Sequence, residues 1–225
     1  MAADQAAEVP SEGPGLSEAR RPLSRRFFGR PSPVVAPDLL GRLLVRRLDG
    51  ETLVARIVET EAYQQDDPAS HSFRGRTSRT EVMFGPAGHL YVYFTYGMHF
   101  CMNVVTGREG EGSAVLFRAA EPLEGLDAMA SRRGLDDPRL LCAGPARLTE
   151  ALGVAREMNG ADLVDGGELW IAAGRRVPAD RIMIGPRVGI RSAVEVPWRF
   201  SEAGSAWVSR GRAGPPSRTR RAPTP

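Results

Sequence analysis

The segment "VETEAY" at residues 58–63 carries two carboxylates and a phenol at alternating positions. Successive side chains of an extended strand point to opposite faces, so Glu59, Glu61 and Tyr63 share one face and Val58, Thr60 and Ala62 the other. Carboxylates two residues apart on a strand stand roughly 6.5–7 Å apart at the backbone. That lies near the roughly 6.5–9.5 Å at which an acid–base pair hydrolyses a glycosidic bond with inversion. The plain alternative is two acids on a solvent-facing strand. The residues just downstream add chemistry. "QQDDPASH" (64–71) reads as a loop ending in His71, and "HSFRGRTSR" (71–79) gathers Arg74, Arg76 and Arg79. Acid, aromatic ring and cations so close in sequence are suitable parts for cutting a glycosidic bond on a polyanion.

A second stretch, "YVYFTYGMHF" (91–100), packs three tyrosines, two phenylalanines and a histidine around Gly97. Apolar β-favouring runs at 90–95 and 100–105 flank Tyr96-Gly97, the pattern of a hairpin. Tyr91, Tyr93 and Thr95 share one face of it; Val92, Phe94 and Tyr96 share the other. Val92, Phe94 and Phe100 are assigned to the core. Tyr96, just before the turn glycine, falls at the tip, where little core exists. A ring projecting there can push between stacked base pairs. Tyr93, on the flank, can offer its face to a base that has left the stack.

The elements that must carry these groups read as a mixed α+β domain. "PDLLGRLLVRRL" (37–48) begins with helix-like spacing and runs into a strand, and 53–63 is a β-branched strand. Residues 113–122 form a strand that stops at Pro122; 123–133 and 144–153 fit helices; further strands fall at 168–172, 181–190 and 205–209. Strands outnumber helices and do not alternate with them, which points to an antiparallel or mixed sheet. Residues 1–26 are an unpatterned lead expected to be disordered, 27–210 the folded domain, and 211–225 a basic, proline-rich tail expected to be disordered.

Composition bounds the function. The chain has 225 residues and a net charge of +3, but removing the five arginines of residues 209–225 leaves −2. The basic balance therefore resides in the tail, and local charge matters more than the total. No lysine occurs anywhere, so no side-chain amine can form a Schiff base with an opened sugar. Cys101 and Cys142 sit in apolar segments and read as buried reduced thiols of a cytosolic protein. The three histidines show no metal-ligand spacing. No apolar run is long enough to span a bilayer, and no export signal is visible.

Taken together, "RIVETEAY" (56–63), "DPASH" (67–71), "VMFGPAGHLYVYFTYGMHFCMNVV" (82–105), "AVLFRAAEPLEGL" (114–126), "CAGPARLTEALG" (142–153) and "PRVGI" (186–190) resemble the alkyladenine (3-methyladenine) DNA glycosylase family. The likeness runs from about Phe27 to Trp207. It implies one mixed domain around a curved antiparallel sheet, related to an open barrel, with a hairpin that enters the DNA minor groove. It implies hydrolysis of the N-glycosidic bond of alkylated or deaminated purines in double-stranded DNA. With water as nucleophile no metal or organic cofactor is needed, nothing in the sequence demands more than a monomer, and the expected place of action is cytoplasmic, at the nucleoid. Residue by residue, Glu61 matches the acid that activates water and Arg118 the arginine that helps hold it. Tyr63, His71 and Tyr93 match the rings around the flipped base. Asn103 matches the asparagine that crowds the exocyclic amine of guanine, and Tyr96 the residue that fills the vacated stack. Ser78 and Thr80 depart from the family's "TPRN", which bears on the loop's shape.

Each residue has a plainer reading beside this one. Asn103 could satisfy backbone groups of the hairpin, Arg118 could pair with Glu59 or Glu121, and His71 could cap its loop. Two rival functions are also compatible with the residues: a DNA-binding module that keeps the hairpin without catalysis, and a carbohydrate glycosidase using Glu59 and Glu61 together. In the DNA glycosylase reading, Glu59→Gln is expected to be mild.

Overall fold

The computed structural model describes residues 20–95 and 97–210. In chain order the elements are α1 (Arg25–Phe28), α2 (Ser32–Asp38), β1 (Leu43–Leu48), β2 (Glu51–Tyr63), β3 (Leu90–Thr95), β4 (His99–Val105), β5 (Ala114–Glu124), α3 (Leu126–Arg133), α4 (Pro138–Leu141), α5 (Pro145–Ala151), β6 (Leu169–Ala172), β7 (Ile182–Gly185) and β8 (Arg199–Glu202). The strands form a single curled antiparallel sheet in the order β3-β4-β5-β2-β1-β6, with β8 joining β2 and β7 joining β8. The architecture is α+β, one domain on a half-barrel sheet.

β2 is the axis of the molecule. β5 runs along one side of it; on the other side β1 covers residues 51–56 and β8 covers residues 59–61. A strand paired on both edges is buried on both, and Leu53 through Ala62 are all buried except Arg56. The register against β5 slips three times, leaving Leu123 unpaired on β5, then Val58 unpaired on β2 and Arg118 unpaired on β5. Such bulges invert the alternation beyond them and re-aim side chains. Leu53, Ala55 and Ile57 therefore face the main core together with Ala62, while Glu59, Glu61 and Tyr63 turn away from it. Both acids are fully buried, which corrects the reading of a solvent-facing strand.

Several sequence expectations shift. The helix-like spacing at residue 37 is the end of α2, not the start of a helix: Gly41 adopts φ 83°, and a Cβ there would lie 2.0 Å from the Arg175 carbonyl. β5 passes through Pro122 to Glu124, where it pairs with β2 on one side only, because β4 pairs only with residues 114–116 and the other edge at 122 has no partner strand. Residues 205–209 form no strand; the pairing β2 requires comes from β8 instead. Arg20–Arg26 are part of the folded body, with Pro22 bridging Ala172 and Arg20 paired with Glu124, so the domain begins before residue 27. Among the described residues no helix is long and apolar enough to cross a membrane.

Candidate active site

One cross-strand row sets the site. Tyr91 lies opposite Asn103, Asn103 opposite Leu116, Leu116 opposite Glu61, and Glu61 opposite Arg199. Directly opposed residues of neighbouring strands project to the same face. That face is the wall of a cavity of about 300 Å³ lined by Tyr63, His71, Tyr91, Tyr93, Asn103, Arg118 and Val188 among others. The volume is at the small end for a ligand pocket and suits a bicyclic ring.

Glu61 lies immediately behind this wall. Its Oε2 accepts from the Tyr63 hydroxyl at 2.8 Å, and the Arg118 guanidinium stands 3.2 Å from the same oxygen. Its Oε1 accepts from the Val188 N–H at 2.7 Å. All three partners line the cavity, so the carboxylate reaches it through them. Burial and the Glu61 charge raise the Tyr63 phenol well above its ordinary value, which keeps it a donor. Burial disfavours the Arg118 cation, but Glu61 and Glu59 outweigh it and raise its pKa. A carboxylate fixed by a phenol, a guanidinium and a peptide N–H is suited to take a proton from water and to face developing positive charge.

Glu59 is a different group despite sharing the face. Its Oε1 accepts from Arg118 Nε at 2.9 Å and Arg199 Nε at 2.6 Å, and its Oε2 accepts from the Ser209 N–H at 2.7 Å. It does not touch the cavity. The alternatives for Arg118 thus merge: it pairs with Glu59 and with Glu61 at once. The expectation that Glu59→Gln is mild concerns base release; these contacts add an expected cost to stability.

The rings assemble as an open box. His71 meets Tyr93 edge-on with centroids 4.6 Å apart, and Tyr91 lies 5.7 Å from Tyr93. His71 Nδ1 and the Tyr91 hydroxyl are 3.1 Å apart. The loop presenting His71 is pinned on both sides: Asp67 Oδ1 accepts from the Ala69 N–H at 3.0 Å, and the Ser72 hydroxyl donates to the Gly112 carbonyl at 2.7 Å. A Cβ on Gly112 would lie 2.4 Å from Ser72, so this contact requires glycine. In the departing "TSRT" loop, Thr80 Oγ1 accepts from the Thr77 N–H at 2.9 Å and closes the turn. Asn103 does what the plainer reading required, donating to the Tyr91 carbonyl at 3.1 Å, and also lines the cavity. Tyr96 lies outside the described residues; its neighbours Gly97, with φ 69°, and Met98, 70% exposed, form the hairpin tip. Phe94, expected in the core, is 41% exposed and packs on Phe100.

Desolvation among these rings and the nearby Arg79 charge push the His71 imidazole down to about 4. Because the folded value is depressed, the neutral ring favours folding above its ordinary value of about 6.5, and that contribution fades as pH falls from there toward 4. NMR of the His71 ring should show it uncharged throughout pH 6–8. A midpoint near 6.5 would mean that the ring is not enclosed as described.

Sequence reasoning missed Arg187. It is fully buried, forms a two-pronged ion pair with Asp67, donates to the Ala62 carbonyl at 3.0 Å, and lies 4.7 Å over the Tyr63 ring. Its neighbour Val188 supplies the N–H to Glu61. The only sequence signal was the fragment "PRVGI" of the family resemblance, to which no role was given. Cys101 and Cys142 are buried free thiols, and burial pushes Cys142 up to about 12. Among the described residues no group of three His, Cys, Asp or Glu side chains is placed to hold a metal ion.

A buried carboxylate behind a ring-lined slot on a curled sheet suits a class of protein that works beside a flat ring. Comparison with known proteins gives the family. The methylpurine-DNA glycosylase family model matches residues 26–206. A protein of Methanoculleus marisnigri is 52% identical over 191 residues, covering 84% of this chain and 98% of its own length. One from Carboxydothermus hydrogenoformans is 48% identical over 188 residues, again 84% of this chain and 98% of its own. One from Streptomyces avermitilis is 49% identical over 206 residues, 89% and 97% respectively. All three are provisionally named 3-methyladenine DNA glycosylase. The chain belongs to the methylpurine-DNA glycosylase family and is a DNA-repair hydrolase acting on N-glycosyl bonds.

Proposed function

We propose that this enzyme removes alkylated and deaminated purines, of the 3-methyladenine, hypoxanthine and ethenoadenine class, from double-stranded DNA by base flipping, without lyase activity. The nucleotide leaves the stack at a cost of a few kcal/mol, least for a damaged or mispaired base. Tyr96, beside the turn glycine in the sequence, is the residue assigned to fill the gap. The base enters between Tyr63, His71 and Tyr93, where a cationic alkylated ring gains from the aromatic faces. Asn103 crowds the position an exocyclic amine of guanine would take. As the bond from C1′ to the ring nitrogen breaks, its electron pair leaves with the base and positive charge grows on the sugar. Water, taking a place beside Glu61 Oε2 between Tyr63 and Arg118, gives its proton to Glu61 and its oxygen to C1′. The products are free base and an abasic site. With no lysine, no side-chain amine traps the opened sugar.

The single observation that carries this reading is the Glu61 carboxylate bonded to three groups that line the ring-walled cavity. The enzyme acts in the cytoplasm as a monomer, and its arginines at 79 and 156, in a cleft that shares Tyr93 with the cavity, suit a phosphate backbone. The test is a duplex with one hypoxanthine or ethenoadenine, incubated with protein and then cleaved with alkali. Scission at the lesion is expected; binding without scission would make the protein a DNA-binding module. Tyr96→Ala should lower the rate on duplex roughly tenfold while leaving release from single strands, which need no unstacking, nearly unchanged. Equal losses on both would remove Tyr96 from the flipping step.

A further inference from the structure

The family match ends at residue 206, yet Ser209 is buried, 8% exposed, against the two charges that face each other behind the cavity. Its N–H donates to Glu59 Oε2 at 2.7 Å and its hydroxyl accepts from Arg118 Nη2 at 3.3 Å. Glu59 Oε1 in turn accepts from Arg118 Nε. Ser209, Glu59 and Arg118 thus close a ring of three hydrogen bonds. The one guanidinium nitrogen left outside that ring is Nη1, and it is the atom directed at Glu61 Oε2.

We infer that the C-terminal strap ending in Ser209 is a positioning element for the reaction, fixing the plane of Arg118 so that Nη1 faces Glu61 and the attacking water. This rests on the roles proposed above for Glu61 and Arg118. The physical reason is that Arg118 sits on a bulge and faces two carboxylates. A guanidinium prefers a two-pronged grip on one carboxylate. Glu59 offers that grip unless its second oxygen is taken, and the Ser209 N–H takes it. Without the strap, Arg118 can rotate onto both oxygens of Glu59, and Nη1 turns away from Glu61. Arg118 would remain paired and buried, so the loss falls on geometry at the reacting centre, where small displacements cost large factors in rate. Ser209 acts through Arg118 and Glu59 and is a positioning residue, not a catalytic one.

Two truncations of the full chain separate the strap from the arginine-rich end beyond it. One ends at Arg210 and keeps the strap; the other ends at Val208 and lacks it. The readouts are methylpurine release from alkylated duplex DNA under enzyme excess, affinity for a duplex with a tetrahydrofuran abasic analogue, and thermal melting. The chain ending at Val208 should release base roughly tenfold or more slowly than the chain ending at Arg210, with equal affinity for the abasic duplex. Ser209→Ala keeps the N–H and loses only the acceptor for Arg118, so it should fall between them, and it decides the matter if the shorter chain fails to fold. Equal release rates for the two truncations, or Ser209→Ala as fast as wild type where the shorter chain does not fold, overturn the inference. So does a rate loss matched by an equal loss of binding. Failure of the underlying reading looks different: the intact protein releases no base, or Glu61→Gln still does.

Discussion

Replacing Glu61 with glutamine is expected to lower base release roughly a thousandfold while leaving affinity for lesion-bearing duplex within about twofold of wild type. Glutamine keeps the volume, and its one carbonyl oxygen can still accept from the Val188 N–H while its NH2 donates to the Tyr63 hydroxyl. It loses the negative charge that faces the sugar and the basicity that takes the water's proton. The cavity wall contributes none of this: its rings hold the base but supply no anion. Release should be followed at single turnover, since slow product dissociation can mask a chemical defect. Glu59→Gln is the matched control, with the same chemistry one pleat away. Its carboxylate serves Arg118, Arg199 and the Ser209 N–H, all buried or half-buried. Weakening it leaves cations without their counter-charge, so the main expected loss is in stability, about 3 kcal/mol, with a smaller slowing of release because Glu59 also holds one edge of Arg118. An enzyme that used both acids as an acid–base pair would instead lose all turnover in either variant. If Glu61→Gln retains a tenth of wild-type release, the carboxylate is not the base.

Much of this was legible before the fold. Alternation along "VETEAY" put Glu59, Glu61 and Tyr63 on one face, and they share one. The hairpin and its tip were legible because a turn glycine divides two β-favouring runs. What stayed hidden was set by long-range partners. Whether the acids faced water depended on β8, a strand 140 residues downstream of Glu59 by its Arg199 contact. The bulge at Arg118 has no local signature, since it exists only as a mismatch between β2 and β5. Pro122 read as a strand end because proline cannot serve a ladder on both sides, and only the register shows that β4 has already stopped. Phe94 read as core from its type alone, but on that face of β3 burial stops at Leu90 and Val92, and Phe94, nearer the turn, is 41% exposed.

Arg187 illustrates why charge is the hardest feature to place from sequence, and it carries the second large effect. Its side chain is 0% exposed and that of Asp67 2% exposed, so neither charge has water to fall back on. Removing one partner of such a pair typically costs about 3–5 kcal/mol, because the other remains buried and uncompensated. Asp67→Ala is therefore expected to lower unfolding free energy by about 4 kcal/mol in urea titration. It should also slow base release beyond what the folded fraction explains. The same guanidinium stacks on Tyr63, holds the Ala62 carbonyl, and anchors the turn whose Val188 N–H reaches Glu61. The loop carrying His71 hangs on the other end of the pair through Asp67. Arg187→Met, which keeps length and apolar bulk, removes the second charge as well when combined with Asp67→Ala. The double variant should therefore recover part of the stability lost in either single one, since no charge is then left stranded. Release should not recover with it, because methionine cannot hold the Ala62 carbonyl or orient the turn at Val188. Recovery of stability and rate together would show that the pair only supports the fold; stability returning alone assigns it to the site.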